Sequence, residues 1–372
     1  MNPLFHTLYL ESTRNCNFAC PNCSSGSNKK AQIEEDLTFS VIVERILKPA
    51  KELGTNNIDF SGGEFLLRKD AFDILAKANE LGFSIGILSN GSTLDEQTLN
   101  KIEKILGRNV IISLGINSFD NENIESRQSS KEYFLKVLNR LERHHFTVNV
   151  SVTMGSFNCE TFHQTLKNIN NLHLPFNRVP YSPRNSSNRK WMFNKEIMKK
   201  YLHPALLEYY KGFVSYVPFF LNTKDYIKYS VPDSEMLKVP TNPSVGCWVG
   251  SFYAINPKGD VAPCPLVSDH VSGGNVITEE LYDILYKSEL FTKIVERSNL
   301  EGKCGKCKFR YTCGGCRVYS YYLTGNIFAS DPTCFIDDLT AEELKTLENK
   351  TAKNFKNYCR MVHFGKTKTN DK

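Results

Sequence analysis

Cys16-Asn17-Phe18-Ala19-Cys20-Pro21-Asn22-Cys23 sets three thiols within eight residues, directly after a β-type run from Leu8 to Ser12. The spacing is C-x3-C-x2-C. Soft thiolates are natural ligands of iron–sulfur iron, and three of them can wrap one face of a four-iron cluster while leaving the fourth iron open. A structural zinc ion would want a fourth protein ligand. Local spacing leaves both readings open.

Working outward, short β-type runs alternate with amphipathic stretches. Phe39, Ile42, Val43 and Ile46 recur at helical spacing, and Asn57 to Phe60 reads as a second strand. Asp70 to Leu81, Phe83 to Leu88, Leu94 to Leu106, Asn109 to Gly115 and Lys131 to His145 continue the pattern. Thr147 to Met154, Glu160 to Asn171 and Phe176 to Pro180 complete six β-α units. Such alternation predicts an α/β fold with a parallel sheet and crossover helices, in number for a partial (β/α)6 barrel. Function in such barrels gathers at the C-terminal ends of strands. The cysteine loop, Ser61-Gly62-Gly63-Glu64 and Ser89-Asn90-Gly91 all fall there.

At 372 residues the chain suits one large domain plus an appendage. Hydrophobic residues at 41% and charged residues at 23% exclude wholesale disorder, and a net charge of +6 is too mild to mark a nucleic-acid partner. The longest apolar runs fall far short of the roughly 20 residues that cross a bilayer. Met1 to Leu10 lacks a signal-peptide core, so a cytoplasmic location is expected. There the 12 cysteines stay reduced and point to metal or catalysis. Besides the first three, Cys247, Cys264, Cys304, Cys307, Cys313, Cys316 and Cys334 crowd the last third; only Cys159 and Cys359 stand apart. The expected organisation is a barrel over 1–185, a bridging region over 186–240, a cysteine-rich domain over 241–340, and a surface helix with a basic tail over 341–372.

The first cluster and its surroundings resemble the radical S-adenosylmethionine (SAM) enzymes, whose hallmark is C-x3-C-x2-C after strand one of a six-unit partial barrel. Gly62-Gly63-Glu64 is similar to the motif that holds the methionine amino group. Leu88-Ser89-Asn90-Gly91 resembles the strand-three support for ribose and carboxylate. Ser113 and Arg127 are placed like the family's carboxylate contacts, and Asn22 and Met154 like segments beside adenine. The resemblance implies a 4Fe–4S cluster on Cys16, Cys20 and Cys23, chelated by SAM and reduced by a donor such as flavodoxin or ferredoxin. It also implies a 5′-deoxyadenosyl radical that abstracts hydrogen from a substrate. Where many relatives carry an aspartate at the end of strand four, this chain has Gly115. No catalytic acid or base is singled out.

Cys304-x2-Cys307-x5-Cys313-x2-Cys316 alone reads as two zinc knuckles. With Cys247, Cys264 and Cys334, and with Cys313-Gly-Gly-Cys316-Arg317 and Asp331-Pro-Thr-Cys334, the array instead resembles the SPASM extension, which carries auxiliary 4Fe–4S clusters. The resemblance implies two such clusters. Cys247, Cys264 and Cys316 would hold one, lacking a fourth protein ligand unless Cys159 or Cys359 supplies it. Cys304, Cys307, Cys313 and Cys334 would hold the other. Family relatives modify ribosomal peptides or small molecules. The first expectation is a peptide-modifying enzyme (crosslinking, dehydrogenation or epimerisation), and the second is modification of a tetrapyrrole or other small molecule. Asp269 is the acid nearest Cys264, and the aromatic stretch Tyr209, Tyr210, Phe213, Tyr216, Phe219, Phe220 is a candidate cleft lining.

Overall fold

The computed structural model describes residues 4–29, 36–183, 186–209, 216–230 and 245–367. Six strands lie side by side in chain order, all parallel: β1 (Thr7–Glu11), β2 (Asn57–Ser61), β3 (Ser84–Ser89), β4 (Val110–Gly115), β5 (Thr147–Met154) and β6 (Phe176–Pro180). Each crossover carries a helix on one face, as expected of a partial barrel. The two faces of β5 show why. Val148, Val150, Val152 and Met154 are buried against the helices, whereas Asn149, Ser151 and Thr153 alternate onto the concave side. The helix Glu96–Leu106 shows the complementary pattern: Leu99, Ile102 and Leu106 are buried on one stripe, and the Asp95 carboxylate caps its start by accepting from Thr98 N at 2.8 Å.

The second region joins this sheet. Strand β7 (Phe252–Ile255) pairs in parallel with β1, in the register Thr7↔Phe252 to Leu10↔Ile255. Strands β8 (Asp260–Ala262) and β9 (Gly274–Asn275) follow antiparallel, giving a nine-stranded sheet with order 6-5-4-3-2-1-7-8-9. Sequence reading expected few regular elements here. A hairpin this short gives almost no periodicity, yet it covers the open edge of β1 and so sets the two cysteine-bearing regions side by side.

Of the candidate cleft lining, Tyr216, Phe219 and Phe220 are buried in the core, and Tyr210 and Phe213 lie outside the described residues. The final helix, Ala341–Thr367, is longer than expected and is no mere surface element. Phe355 and Cys359 are buried, and Phe355 stacks on Tyr226 of the helix Thr223–Ser230 at 5.6 Å. The basic tail beyond it falls outside the described residues. Among the described residues, no helix is long and apolar enough to cross a membrane.

Candidate functional site

The cysteine loop leaves β1 and is closed on itself: Asn28 N donates to Arg14 O at 3.2 Å and Cys16 N to Asn28 O at 3.3 Å. Within it, Cys23 N donates to Cys20 O at 3.0 Å, folding the C-x2-C step into a turn. A helix that sequence reading missed, Asn121–Arg127, supports the loop from the far side. Asn22 N donates to Ser126 O at 3.2 Å, Ala19 N to Gln128 Oε1 at 3.2 Å, and the Cys20 thiol reaches Arg127 O at 3.1 Å. Seven residues with one half-buried turn give little sequence signal. Its buried Asn123, which donates to Ser129 O at 2.7 Å, was the available hint. Burial pushes the Cys16 thiol up and the Cys20 thiol up to about 11, so Cys20 stays protonated until a metal displaces the proton.

The β2 loop lies against this one. Gly62 has φ +136°, and a Cβ there would collide with the Thr13 carbonyl; a Cβ on Gly63 would collide with the Asn15 carbonyl. Bare backbone lets Gly63 N donate to Thr13 O at 2.6 Å and Glu64 N to Asn15 O at 2.8 Å. The glycines thus serve loop-to-loop approach. Glu64 is fully buried, and its carboxylate accepts from Ser89 Oγ (2.8 Å), Asn90 N (2.9 Å) and Thr93 Oγ1 (2.9 Å). Burial raises its pKa, opposed by those three hydrogen bonds. Asn90 in turn directs its amide at Cys16 Sγ, 3.6 Å away.

At the end of β4 the missing aspartate has an explanation. The Arg127 guanidinium occupies the space that a Gly115 side chain would need. Arg127 has no carboxylate partner among the described residues, so its fork is available to an incoming one. Ser113 accepts from Asn149 Nδ2 at 3.3 Å on the concave face. Met154 is fully buried with its side chain in the core, and its carbonyl accepts from Tyr181 N at 2.9 Å.

The second set of cysteines resolves into two groups. Cys304, Cys307, Cys313 and Cys334 line one pocket, together with Pro218, Arg310 and Ile336. Among the described residues no three Cys, His, Asp or Glu side chains meet at a point suited to a single metal ion; these four thiols surround a space instead. Cys247 lies close enough to Cys264 and Cys316 for its charge to act on both, and Arg178 of β6 acts on the same two thiols. Buried Arg297 ties the groups together, donating to Tyr311 O at 2.5 Å, Val245 O at 3.2 Å and Cys247 O. Cys247 N donates to Cys313 O at 2.8 Å. Cys159 is buried in the turn before the helix Phe162–Asn171, its thiol reaching Ser156 O at 3.2 Å, and Cys359 is buried in the final helix.

Residues 10–169 match the family described as the radical SAM superfamily, and residues 247–308 match an iron–sulfur cluster-binding domain, SPASM. The chain belongs to the radical SAM superfamily and carries an SPASM domain. It is an enzyme that works through SAM and iron–sulfur clusters. This radical SAM/SPASM chain is 23% identical, over 87% of its length and 94% of the relative's, to an AdoMet-dependent heme synthase of Methanosarcina barkeri. It is 24% identical to a PqqA peptide cyclase of Bradyrhizobium diazoefficiens, over 92% of this chain and 89% of that one. Its fold is similar to Streptococcus suis SuiB bound to the precursor peptide SuiA. That likeness has a TM-score of 0.64 and 17% identity, and covers 89% of this chain and 76% of SuiB.

One contact between the two regions of the radical SAM/SPASM enzyme was not legible in sequence. Arg14, two residues before Cys16, makes a two-pronged ion pair with Asp269, five residues after Cys264. Beside it, a polar notch opens between the two loops, lined mainly by Glu11, Arg14, Ser25, Ser268, Asp269 and Tyr322.

Proposed function

We propose that this enzyme modifies a side chain of a ribosomally made peptide by hydrogen abstraction. With cluster and SAM bound, one-electron cleavage of the SAM sulfonium C–S bond would be the chemistry they supply, and the chain's own residues would position a substrate C–H for hydrogen abstraction. Cys16, Cys20 and Cys23 would hold the SAM-binding cluster, leaving one iron for SAM. Arg127 would grip the SAM carboxylate, with Ser113 beside it, and the backbones of Asn22, Gly62, Gly63 and Met154 would frame the ligand. Ser89 and Asn90 are held ready by Glu64. The shared cavity supports Cys304, Cys307, Cys313 and Cys334 as ligands of one auxiliary cluster. Cys247, Cys264 and Cys316 would hold a second, with a position left open. A flavodoxin- or ferredoxin-type donor in the cytoplasm would supply the electrons.

The observation that carries the peptide reading is the cavity between the two cysteine loops. It is small and hydrogen-bond rich, and its one arginine is already paired with Asp269 and lies near Glu11. Such a lining offers hydrogen-bond partners to a peptide backbone. A macrocycle bearing several carboxylates would need unpaired cations there. The full-length likeness to heme synthases supports a tetrapyrrole as the second reading. The test is anaerobic reconstitution with SAM and a peptide encoded beside this gene, followed by 5′-deoxyadenosine release and peptide mass. Peptide-dependent release with a changed mass is expected. Release that ignores the peptide and responds to a porphyrin would replace the first reading by the second.

A further inference from the structure

Asn90 was expected to face SAM. Its side chain is engaged by the cysteine loop. Its Oδ1 accepts from Ser92 N at 2.8 Å, and a backbone N–H can only donate, so this contact fixes which way the amide points. Its Nδ2 therefore faces Cys16 Sγ at 3.6 Å and Asn17 Oδ1 at 3.1 Å. A second donor, Phe18 N, meets the same sulfur at 3.4 Å. The Asn90 backbone is pinned by Glu64, whose fully buried carboxylate has no cation beside it among the described residues and spends its oxygens on the β3 loop.

We infer that Asn90 donates a hydrogen bond to the Cys16 sulfur that raises the reduction potential of the cluster held there, and that Glu64 is the positioning residue for this donor. The inference rests on Cys16, Cys20 and Cys23 holding that cluster. An N–H aimed at a cysteinate sulfur stabilises the extra negative charge of the reduced form, and such bonds are among the levers that set iron–sulfur potentials. Phe18 N supplies a backbone contribution that only proline at this position would remove. Asn90 is the part that the side chains decide, and Glu64 acts only through it.

The test uses the full-length, fully loaded enzyme in an anaerobic redox titration followed by electron paramagnetic resonance. The signal that changes on adding SAM identifies the cluster of the cysteine loop. Its midpoint is then measured without SAM, so a lost SAM contact would not move it. Asn90→Asp keeps an acceptor for Ser92 N and removes the donor; Asn90→Ala removes both. In each, the midpoint of this cluster should shift to more negative potential while the auxiliary midpoints, whose cysteines Asn90 does not touch, stay put. Glu64→Gln should shift the same midpoint in the same direction by a smaller amount. An unchanged midpoint in the Asn90 variants overturns the inference. Should those variants load poorly, unsubstituted enzyme labelled with side-chain ¹⁵N-asparagine gives an independent reading. Electron–nuclear double resonance should show an amide nitrogen coupled to the reduced cluster, and its absence overturns the inference equally. A chain with no SAM-responsive signal at all would sink the cluster assignment, a different outcome from an unmoved midpoint.

Discussion

The Asp331 carboxylate accepts a hydrogen bond from the Cys316 amide at 2.7 Å, and the two residues are both buried. Its other oxygen takes Thr333 N at 2.9 Å and Thr333 Oγ1 at 2.7 Å, and Asp331 N points at Cys304 Sγ at 3.3 Å. One carboxylate therefore joins the segment carrying Cys316 to the one carrying Cys334. Asp331→Ala would leave three buried donors without acceptors, at a cost on the order of 3 kcal/mol. We expect a lower urea midpoint and loss of auxiliary iron, with the SAM-responsive signal retained. Full iron content in the variant would show that the strap does not hold these ligands.

Gly115 and Arg127 form a matched pair. A methyl at Gly115 would meet the end of a flexible side chain, so β4 should persist while the guanidinium is pushed aside. Gly115→Ala should therefore weaken SAM binding about tenfold, close to 1.4 kcal/mol, with little change in melting temperature. Arg127→Lys, which keeps the charge and loses the two-pronged fork, should do much the same. Equilibrium dialysis of SAM on the reconstituted enzyme measures both. Undiminished SAM affinity in the two variants would mean that the carboxylate is gripped elsewhere.

How far the sequence carried depends on the kind of signal each part emits. The six β-α units were legible because alternating Val148, Val150 and Val152 and the spaced Leu99, Ile102 and Leu106 repeat a pattern that only burial on one face explains. The expected cysteine groupings came from the resemblance to the SPASM extension, since spacing alone reads Cys304 to Cys316 as two zinc knuckles. What was hidden is polar and long-range. The pairing of β1 with β7 joins residues some 245 positions apart, as Thr7↔Phe252 illustrates. Arg297, buried among carbonyls, looks in sequence like any solvated arginine. Glu64 was expected to face a ligand cation; that its burial and three donors also make it a support for β3 was not legible in sequence.

The Arg14–Asp269 pair should matter more to the cleft than to stability. Both side chains retain some solvent contact (16% and 30%), so the pair contributes roughly 1 kcal/mol or less, and less in high salt. Asp269→Asn should leave the unfolding midpoint nearly unchanged. Yet it releases the loop after Cys264 from the loop before Cys16. Hydrogen exchange should rise over 265–270, and KM for the substrate should change more than kcat. Unaltered exchange in that segment would show that the pair does not hold the loop.

His203 makes stability depend on pH with a sign that can be worked out. The ring is buried among Tyr216, Phe220 and Phe335, with centroids 6.0, 5.4 and 5.1 Å away. It bonds the Pro218 carbonyl, and its Nε2 finds no partner among the described residues. Burial pulls its pKa down to about 4, against an ordinary 6.5. Between those values the unfolded chain binds a proton that the folded one refuses. The stabilisation is thus complete above about pH 6.5 and is lost as pH falls toward 4. From pH 7 to about pH 5 the loss is on the order of 2 kcal/mol. His203→Phe preserves the ring but strands the Pro218 carbonyl, a fixed cost that does not vary with pH. Cluster lability in acid is common to both proteins and cancels in their difference. Anaerobic urea unfolding should therefore show the gap between wild type and His203→Phe narrowing as pH falls. A gap that stays constant would mean that His203 is not held neutral in the fold.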